Sequence, residues 1–162
     1  MSLTLPPGPL GEVSKSILGD AAFLFCDDVP AGTAPLEGKL AEATISFEGP
    51  TPGRITLRLP WRVAMEAAAN LLGTDADDPE AEENALAAVG ELLNMISGSA
   101  LQRWFGGAAT WSLGVPSTAA RVGRLPSSSP RADVVEYVID DARIEIEATE
   151  GGAGDDQGPH RR

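Results

Sequence analysis

The sequence has few of the residues on which several common kinds of site and partner depend. It holds one cysteine, Cys26, and one histidine, His160, so an internal disulfide is impossible and a metal site has almost no support. Lysine and arginine number 12 against 24 aspartates and glutamates, which gives a formal net charge of -12. Nucleic acids and anionic membranes are bound mainly through lysine and arginine, so neither is an expected partner.

Long apolar runs and aromatic residues are also scarce. No apolar segment approaches the roughly 20 residues of a membrane span. The first ten residues, MSLTLPPGPL, lack the basic and apolar regions of a secretory signal, so we expect a cytoplasmic protein. Aromatic residues make up 5% of the chain and hydrophobic residues 43%, so the core is expected to consist mainly of Ala, Leu, Val and Ile.

The apolar periods predict a single α+β domain, in which helices pack on a largely antiparallel sheet in two layers. Helices are predicted over residues 11–27, 61–73 and 78–105, and strands over 41–49, 53–60, 109–116, 133–140 and 141–149. No clear strand is predicted over residues 121–132. Residues 1–10 and the acidic tail 149–162 are predicted to be flexible, which leaves 11–148 as the domain.

The middle of the third helix, AVGELLNMISGSA at residues 88–100, contains several poor helix formers. Gly90 and Gly98 each cost roughly 1 kcal/mol relative to alanine, and Asn94 adds several tenths more. A helix that served only as a solvated surface would carry Lys, Arg, Glu and Gln instead. Something other than helix stability is therefore expected to have selected these residues.

Helical periodicity places Glu91 and Asn94 together on the outer face of this helix, because residues three apart are neighbours on a helix surface. Ala87 and Gly98 fall on the same face, so the surface around the pair has low relief. The predicted core stripe lies on the other side and consists of Leu86, Val89, Leu93, Ala100 and Trp104, with Ile96 on its flank.

Charge is unevenly distributed around this helix. Between Glu83 and Asp133 the only acidic residue is Glu91, whereas the same interval holds four arginines, at positions 103, 121, 124 and 131. This part of an acidic protein is thus predicted to be locally positive. A partner that presents carboxylates or a phosphoryl group would be tolerated better here than elsewhere.

The stretch GELLNMISGSA resembles the signature helix of the CheC/CheX-type chemotaxis phosphatases, in which a Glu-x-x-Asn pair precedes an apolar step and a small-residue step. The predicted order of elements from about residue 11 to 148, including "LLG" and "SLGVP", is also similar to CheX-like domains. The resemblance implies a phosphatase that acts on the phospho-aspartate of a CheY-like response regulator.

By that resemblance, Glu91 corresponds to the acid that pairs with the regulator's active-site lysine, and Asn94 to the amide that orients the attacking water. Ala87, Met95 and Gly98 are predicted to contact the regulator. The chain is expected to need no cofactor or metal of its own, since the Mg²⁺ belongs to the regulator. A homodimer built through sheet edges is also implied.

Only one site per chain is expected. The first helix begins "GEVSKS", which places Lys15 where a second motif would need Asn, and Glu66 and Asn70 are four residues apart rather than three. Two alternatives stay open. The chain is a non-catalytic adaptor for a receiver domain or a flagellar-switch-like component, or it is an oligomerising scaffold whose glycines permit helix packing.

Overall fold

The computed structural model describes residues 5–107, 109–124 and 134–151, and over these residues the chain forms four helices and six strands. The helices are α1 (Pro7–Ala22), α2 (Trp61–Leu72), α3 (Pro79–Glu83) and α4 (Ala85–Phe105). The strands are β1 (Glu37–Glu48), β2 (Gly53–Pro60), β3 (Ser112–Leu113), β4 (Ser117–Arg124), β5 (Val134–Ile139) and β6 (Ala142–Glu150). None of the helices within these ranges is both long and apolar enough to cross a membrane.

The described strands form one antiparallel sheet. β1, β2, β6 and β5 lie in that order, and the short β3 and the longer β4 both pair with β1 at the opposite edge. β4 pairs with residues 37–44 of β1, and β3 pairs with Phe47 and Glu48. This arrangement confirms the predicted α+β fold with a largely antiparallel sheet.

One face of the sheet packs on the helices. Ile55, Leu57 and Leu59 of β2 are fully buried, as their alternation predicts, and α4 packs against α1, α2 and β1. The residues of the predicted α4 stripe lie in or against the core, which confirms that prediction. The buried surface of α4 is wider than the stripe, because Leu92 and Leu101 are also fully buried.

The other face of the sheet carries an ion-pair network centred on Arg58. Its guanidinium contacts Glu42 at 2.8 Å, Glu147 at 2.9 Å and Glu145 at 3.6 Å. Burial raises the pKa of Glu145, and the nearby Arg58 only partly opposes this effect. The polar face of the central strands is therefore half-buried and held by charge pairing.

The first helix starts and ends earlier than the sequence predicts. α1 begins at Pro7, since proline suits the first turn of a helix, and Leu5 and Leu10 are buried. Residues 5–10, predicted to be flexible, thus pack on the fold. Phe23 ends the helix in a left-handed conformation, with φ at 55°.

The predicted helix over residues 78–105 is divided in two. Asp78 caps α3, since its side chain accepts a hydrogen bond from the Glu80 N–H at 2.8 Å. Asn84 then leaves the helical conformation, with its side-chain amide donating to the Glu80 carbonyl at 2.8 Å. The Glu80 carbonyl accepts from both the side chain and the backbone N–H of Asn84, and α4 begins at Ala85.

The strand predictions are corrected near the β1 edge. Of the strand predicted over residues 109–116, only Ser112–Leu113 forms, and residues 121–124, predicted to have no clear strand, belong to β4. Edge pairing with β1 produces this strand without an apolar alternation. The β5–β6 hairpin turns at Asp140 and Asp141 as predicted, but β6 extends into the predicted tail, to Glu150.

Cys26 and two tryptophans lie in or against the core. Cys26 is buried, and its burial raises the pKa of the thiol to about 11, which disfavours the reactive thiolate. Trp104 and Trp111 are partly buried and pack against the core. His160, residues 126–131 and most of the predicted acidic tail lie outside the described residues.

Candidate functional site

Glu91 and Asn94 lie together on the exposed face of α4, where the sequence predicts them. Both side chains are exposed, whereas the adjacent Leu92 and Leu93 are fully buried. Within the described part of the chain, neither polar side chain has a hydrogen-bond or ion-pair partner. A carboxylate and an amide are thus presented side by side and free to bind another molecule.

The pair lines a groove of about 410 Å³ between α4 and the segment that joins β3 to β4. The α4 wall is formed by Ala87, Gly90, Glu91 and Asn94. The opposite wall is formed by Gly114, Val115, Pro116 and Thr118. The groove therefore has one polar wall, supplied by the motif, and one largely apolar wall.

The apolar wall is fixed at both ends. The Gly114 N–H donates to the Ser46 carbonyl of β1 at 2.8 Å. Pro116 and Thr118 pack over Gly90, where an added Cβ would lie 3.6 Å and 3.1 Å from their side-chain atoms. Between these anchors the Val115 side chain is 87% exposed. A large apolar side chain is thus held in water at the rim of the groove.

The other residues predicted to contact a partner differ in their surroundings. Ala87 lines the groove, and Met95 is 39% exposed next to Asn94 but does not line it. Gly98 is half-buried, and an added Cβ there would lie 3.9 Å from Leu113. Of these three residues, Ala87 is the one that lines the groove.

Comparison with known protein families identifies the family to which the chain belongs. The family model described as Chemotaxis phosphatase CheX matches residues 42–137, which is more than half of the chain. The chain belongs to the CheX family. Glu91, Asn94 and the other residues that line the groove all fall inside the matched range. Among curated proteins, no sequence relative matches.

Solved structures of CheX proteins have the same fold. The chain is 19% identical to CheX of Borrelia burgdorferi in a CheX-CheY-BeF3-Mg+2 complex, with a TM-score of 0.64, covering 88% of this chain and 95% of that one. For CheX of Desulfovibrio desulfuricans the values are 18%, 0.65, 88% and 97%. For CheX of Vibrio vulnificus they are 18%, 0.64, 88% and 97%.

Two of the four arginines counted around the CheX-family motif pair with acidic side chains. Arg103 contacts Glu12 of α1 at 2.6 Å, and Arg121 contacts Glu42 of β1 at 3.1 Å. Both acids come from outside the interval that was counted, so tertiary pairing offsets a surplus that is visible only in the linear sequence. The carboxylate of Glu91 is the charge that the groove itself presents.

The residues that would form a second motif serve helix packing instead. Glu12 of α1 pairs with Arg103, and Lys15 is exposed. The Asn70 amide donates to the Ala22 carbonyl at 2.6 Å, at the end of α1. Within the described residues, the groove at Glu91 and Asn94 is thus the place where an acid and an amide of this spacing meet.

The arrangement can orient a bound group through the Glu91 carboxylate and the Asn94 amide. No cluster of three or more His, Cys, Asp or Glu side chains that could hold a metal occurs in the ranges described. Sequence reasoning missed the second wall of the groove, Gly114, Val115, Pro116 and Thr118, because its position depends on contacts with α4 and β1. The one local signal was a Gly-x-Pro turn after a short apolar stretch.

Proposed function

We propose that this chain is a phosphatase that hydrolyses the phospho-aspartate of a CheY-like response regulator. The observation that carries the proposal is the exposure of Glu91 and Asn94, without partners among the described residues, in the groove beside α4. Membership of the CheX family supports the reaction class. The Borrelia burgdorferi CheX, which has the same fold, is described in a complex with CheY, and this supports the partner class.

The proposed chemistry relies on positioning. An acyl phosphate is already activated, so orienting a water molecule and excluding bulk solvent can supply much of the acceleration. Asn94 would hold the attacking water through its amide. Glu91 would pair with the regulator's active-site lysine and fix the register of the two proteins. The regulator would supply Mg²⁺, and the phosphatase would need no cofactor of its own.

The test measures phosphate loss from purified CheY-like regulators that have been phosphorylated with a small-molecule donor. Wild type should accelerate the loss for at least one regulator of a panel, and Asn94→Ala should return it to the spontaneous rate. Gln102→Ala is the matched control, because Gln102 is an exposed amide on the same helix that does not line the groove. Glu91→Gln should weaken regulator binding more than it lowers the rate of phosphate loss in the bound complex.

The competing reading is a non-catalytic adaptor of the same family. It predicts that a regulator binds equally well to wild type and to an Asn94→Ala/Glu91→Gln double variant, with an unchanged phosphate lifetime in both cases. Such a result with every regulator of the panel would reject the phosphatase and leave a binding module. Bound regulator can be followed with BeF3⁻ as the stable phosphoryl analogue.

The proposal includes a cytoplasmic homodimer with one groove per chain. Support for association comes from the edge strand β4, where Ala119, Ala120 and Val122 are all exposed. An exposed edge strand offers unpaired backbone groups to a second copy. Sedimentation equilibrium of the purified chain should give twice the 16.8 kDa monomer mass, and a monomer at all concentrations would contradict it.

A further inference from the structure

Four large apolar side chains are exposed where α1 and α2 end. Phe23 is 60% exposed, Phe25 67%, Leu71 40% and Leu72 44%. The hydrogen bond from the Asn70 amide to the Ala22 carbonyl joins the two helix ends, so adjoining chain segments carry these four residues. We call Phe23, Phe25, Leu71 and Leu72 the helix-end patch. None of them lines the groove beside α4.

The conformation of Phe23 indicates that stability did not select this residue. Its φ of 55° lies in the left-handed region, where glycine is the favoured residue after a helix. A bulky residue costs roughly 1 to 2 kcal/mol there, and the exposed ring gains little from burial. The chain has only four phenylalanines, yet it places two of them in this patch.

The surroundings of the helix-end patch are acidic. Asp20 precedes Phe23 by one turn, Asp27 and Asp28 follow Phe25, and Asp75 and Asp77 follow Leu72; all five are exposed. No lysine or arginine occurs in residues 16–38 or 63–102, the segments that carry the patch, and Lys15 of α1, just before the first of these segments, partly opposes the raised pKa of Cys26. The patch therefore combines apolar contact area with a negatively charged border.

We infer that the helix-end patch is a docking surface for a basic amphipathic segment of another protein. Its apolar side chains would pack on Phe23, Phe25, Leu71 and Leu72, and its lysines or arginines would meet the bordering aspartates. A second copy of this chain fits less well, because it would bring the same acidic border against itself. The surface is separate from the groove, so the inference is independent of the proposed phosphatase.

The experiment uses a fluorescently labelled synthetic peptide of about 18 residues, long enough to form a helix, with Leu and Lys at amphipathic spacing. A Leu/Glu peptide of the same pattern and a scrambled Leu/Lys peptide are the peptide controls. Fluorescence anisotropy with the full chain should show binding of the amphipathic Leu/Lys peptide that weakens as salt is raised. The other two peptides should bind far more weakly.

Two variants locate the binding surface. Phe23→Gly/Phe25→Ser should weaken the Leu/Lys peptide roughly tenfold or more, as expected for the loss of apolar anchors. Asp27→Asn/Asp28→Asn should weaken it and reduce the salt dependence without touching the apolar patch. Gln102→Ala is the control, since Gln102 is exposed on α4, outside the helix-end patch. Thermal unfolding of each variant checks that it is folded.

Three results would overturn the inference. The first is equal binding of the Leu/Lys peptide to wild type and to both double variants. The second is equal binding of the scrambled peptide, which would show a non-specific attraction to an acidic protein. The third is self-association of wild type that Phe23→Gly/Phe25→Ser abolishes, which would assign the patch to a second copy of the chain.

Discussion

Gly90 and Gly98 lie on the same helix, but different surroundings explain them. An added Cβ at Gly90 would lie 3.1 Å from the Thr118 side chain, which is tighter than an ordinary contact. The same atom at Gly98 would lie 3.9 Å from Leu113, an ordinary van der Waals distance. Gly90 therefore permits the close approach of the second wall of the groove, whereas Gly98 leaves room for a methyl group.

Alanine at these two positions should have different effects. Gly98→Ala should raise the free energy of unfolding by up to about 1 kcal/mol, because alanine is the better helix former. In Gly90→Ala the same gain should be offset by the contact with Thr118, and the shifted wall should lower phosphatase activity. Urea denaturation and the phosphate-release assay measure both quantities. Equal stabilisation with full activity in both variants would contradict this account.

Glu145 should make stability depend on pH. Burial raises its pKa in the folded protein, so the folded state binds the proton more tightly than the unfolded state does. The resulting stabilisation is present below the ordinary carboxyl pKa and is lost as pH rises through the raised value. Glu145→Gln does not titrate there, so its free energy of unfolding relative to wild type should increase with pH from about 4 to 7. Urea titrations across that range test the sign, and a difference that falls with pH would contradict it.

At the residue scale, the exposed pair was predictable from sequence. Helical period alone places Glu91 and Asn94 on one face, and both are exposed there. The charge of the region was not predictable from the sequence. Arg103 and Arg121 pair with Glu12 and Glu42, which are distant in sequence. Local periodicity survives folding, whereas a local sum of charges ignores tertiary partners.

At the scale of elements, the segment between β3 and β4 acts as a fixed wall rather than a loose loop. The Gly114 hydrogen bond to Ser46 and the packing of Pro116 on Gly90 hold its two ends. Val115 is thereby kept exposed beside Glu91 and Asn94. We expect Val115 to contact the regulator around its phosphorylation site and to displace water from it.

A control variant separates the contribution of Val115 to regulator binding from the general effect of substituting an exposed residue. Val115→Ser should raise KM for the phosphorylated regulator roughly threefold to tenfold, as expected for a lost apolar contact, and leave kcat less affected. Gln102→Ala is the control, because Gln102 is exposed on α4 but does not line the groove, whereas Val115 is 87% exposed and lines it. Steady-state kinetics measures the split. Unchanged KM and kcat in Val115→Ser would show that this wall of the groove does not contribute to regulator binding.

Elements with a strong period were predictable, and those set by pairing were not. The buried alternation of Ile55, Leu57 and Leu59 gave β2 its bounds. In contrast, β4 has exposed side chains at its edge and forms because β1 offers backbone partners. The break at Asn84 is a change in the backbone conformation of one residue, which a helical period does not reveal.

At the scale of the whole molecule, the N-terminal segment closes the core. Leu5 and Leu10 are buried, and the Trp104 indole N–H donates to the Pro6 carbonyl at 2.9 Å. The segment appeared flexible in sequence because three prolines and a glycine obscure its two core leucines. The fold class was predictable from periodicity, whereas this closure depends on contacts nearly a hundred residues apart.

Deletion of residues 1–6 should therefore destabilise the protein. Loss of the buried Leu5 side chain and of the Trp104 hydrogen bond should lower the free energy of unfolding by about 2 to 4 kcal/mol. Leu10 stays in place, so the shortened chain should still fold. Urea denaturation measures the change, and an unchanged midpoint would mean that this segment does not contribute to the core.

The most direct test of the central claim is the rate of phosphate loss from a phosphorylated CheY-like regulator, measured with wild type, Asn94→Ala and Gln102→Ala side by side. Wild type and Gln102→Ala should accelerate phosphate loss. With Asn94→Ala the rate of phosphate loss should be roughly two orders of magnitude lower, or equal to the spontaneous rate, because the water is no longer oriented. Equal acceleration by wild type and a folded Asn94→Ala variant, or no acceleration by wild type with any regulator of the panel, would contradict the claim.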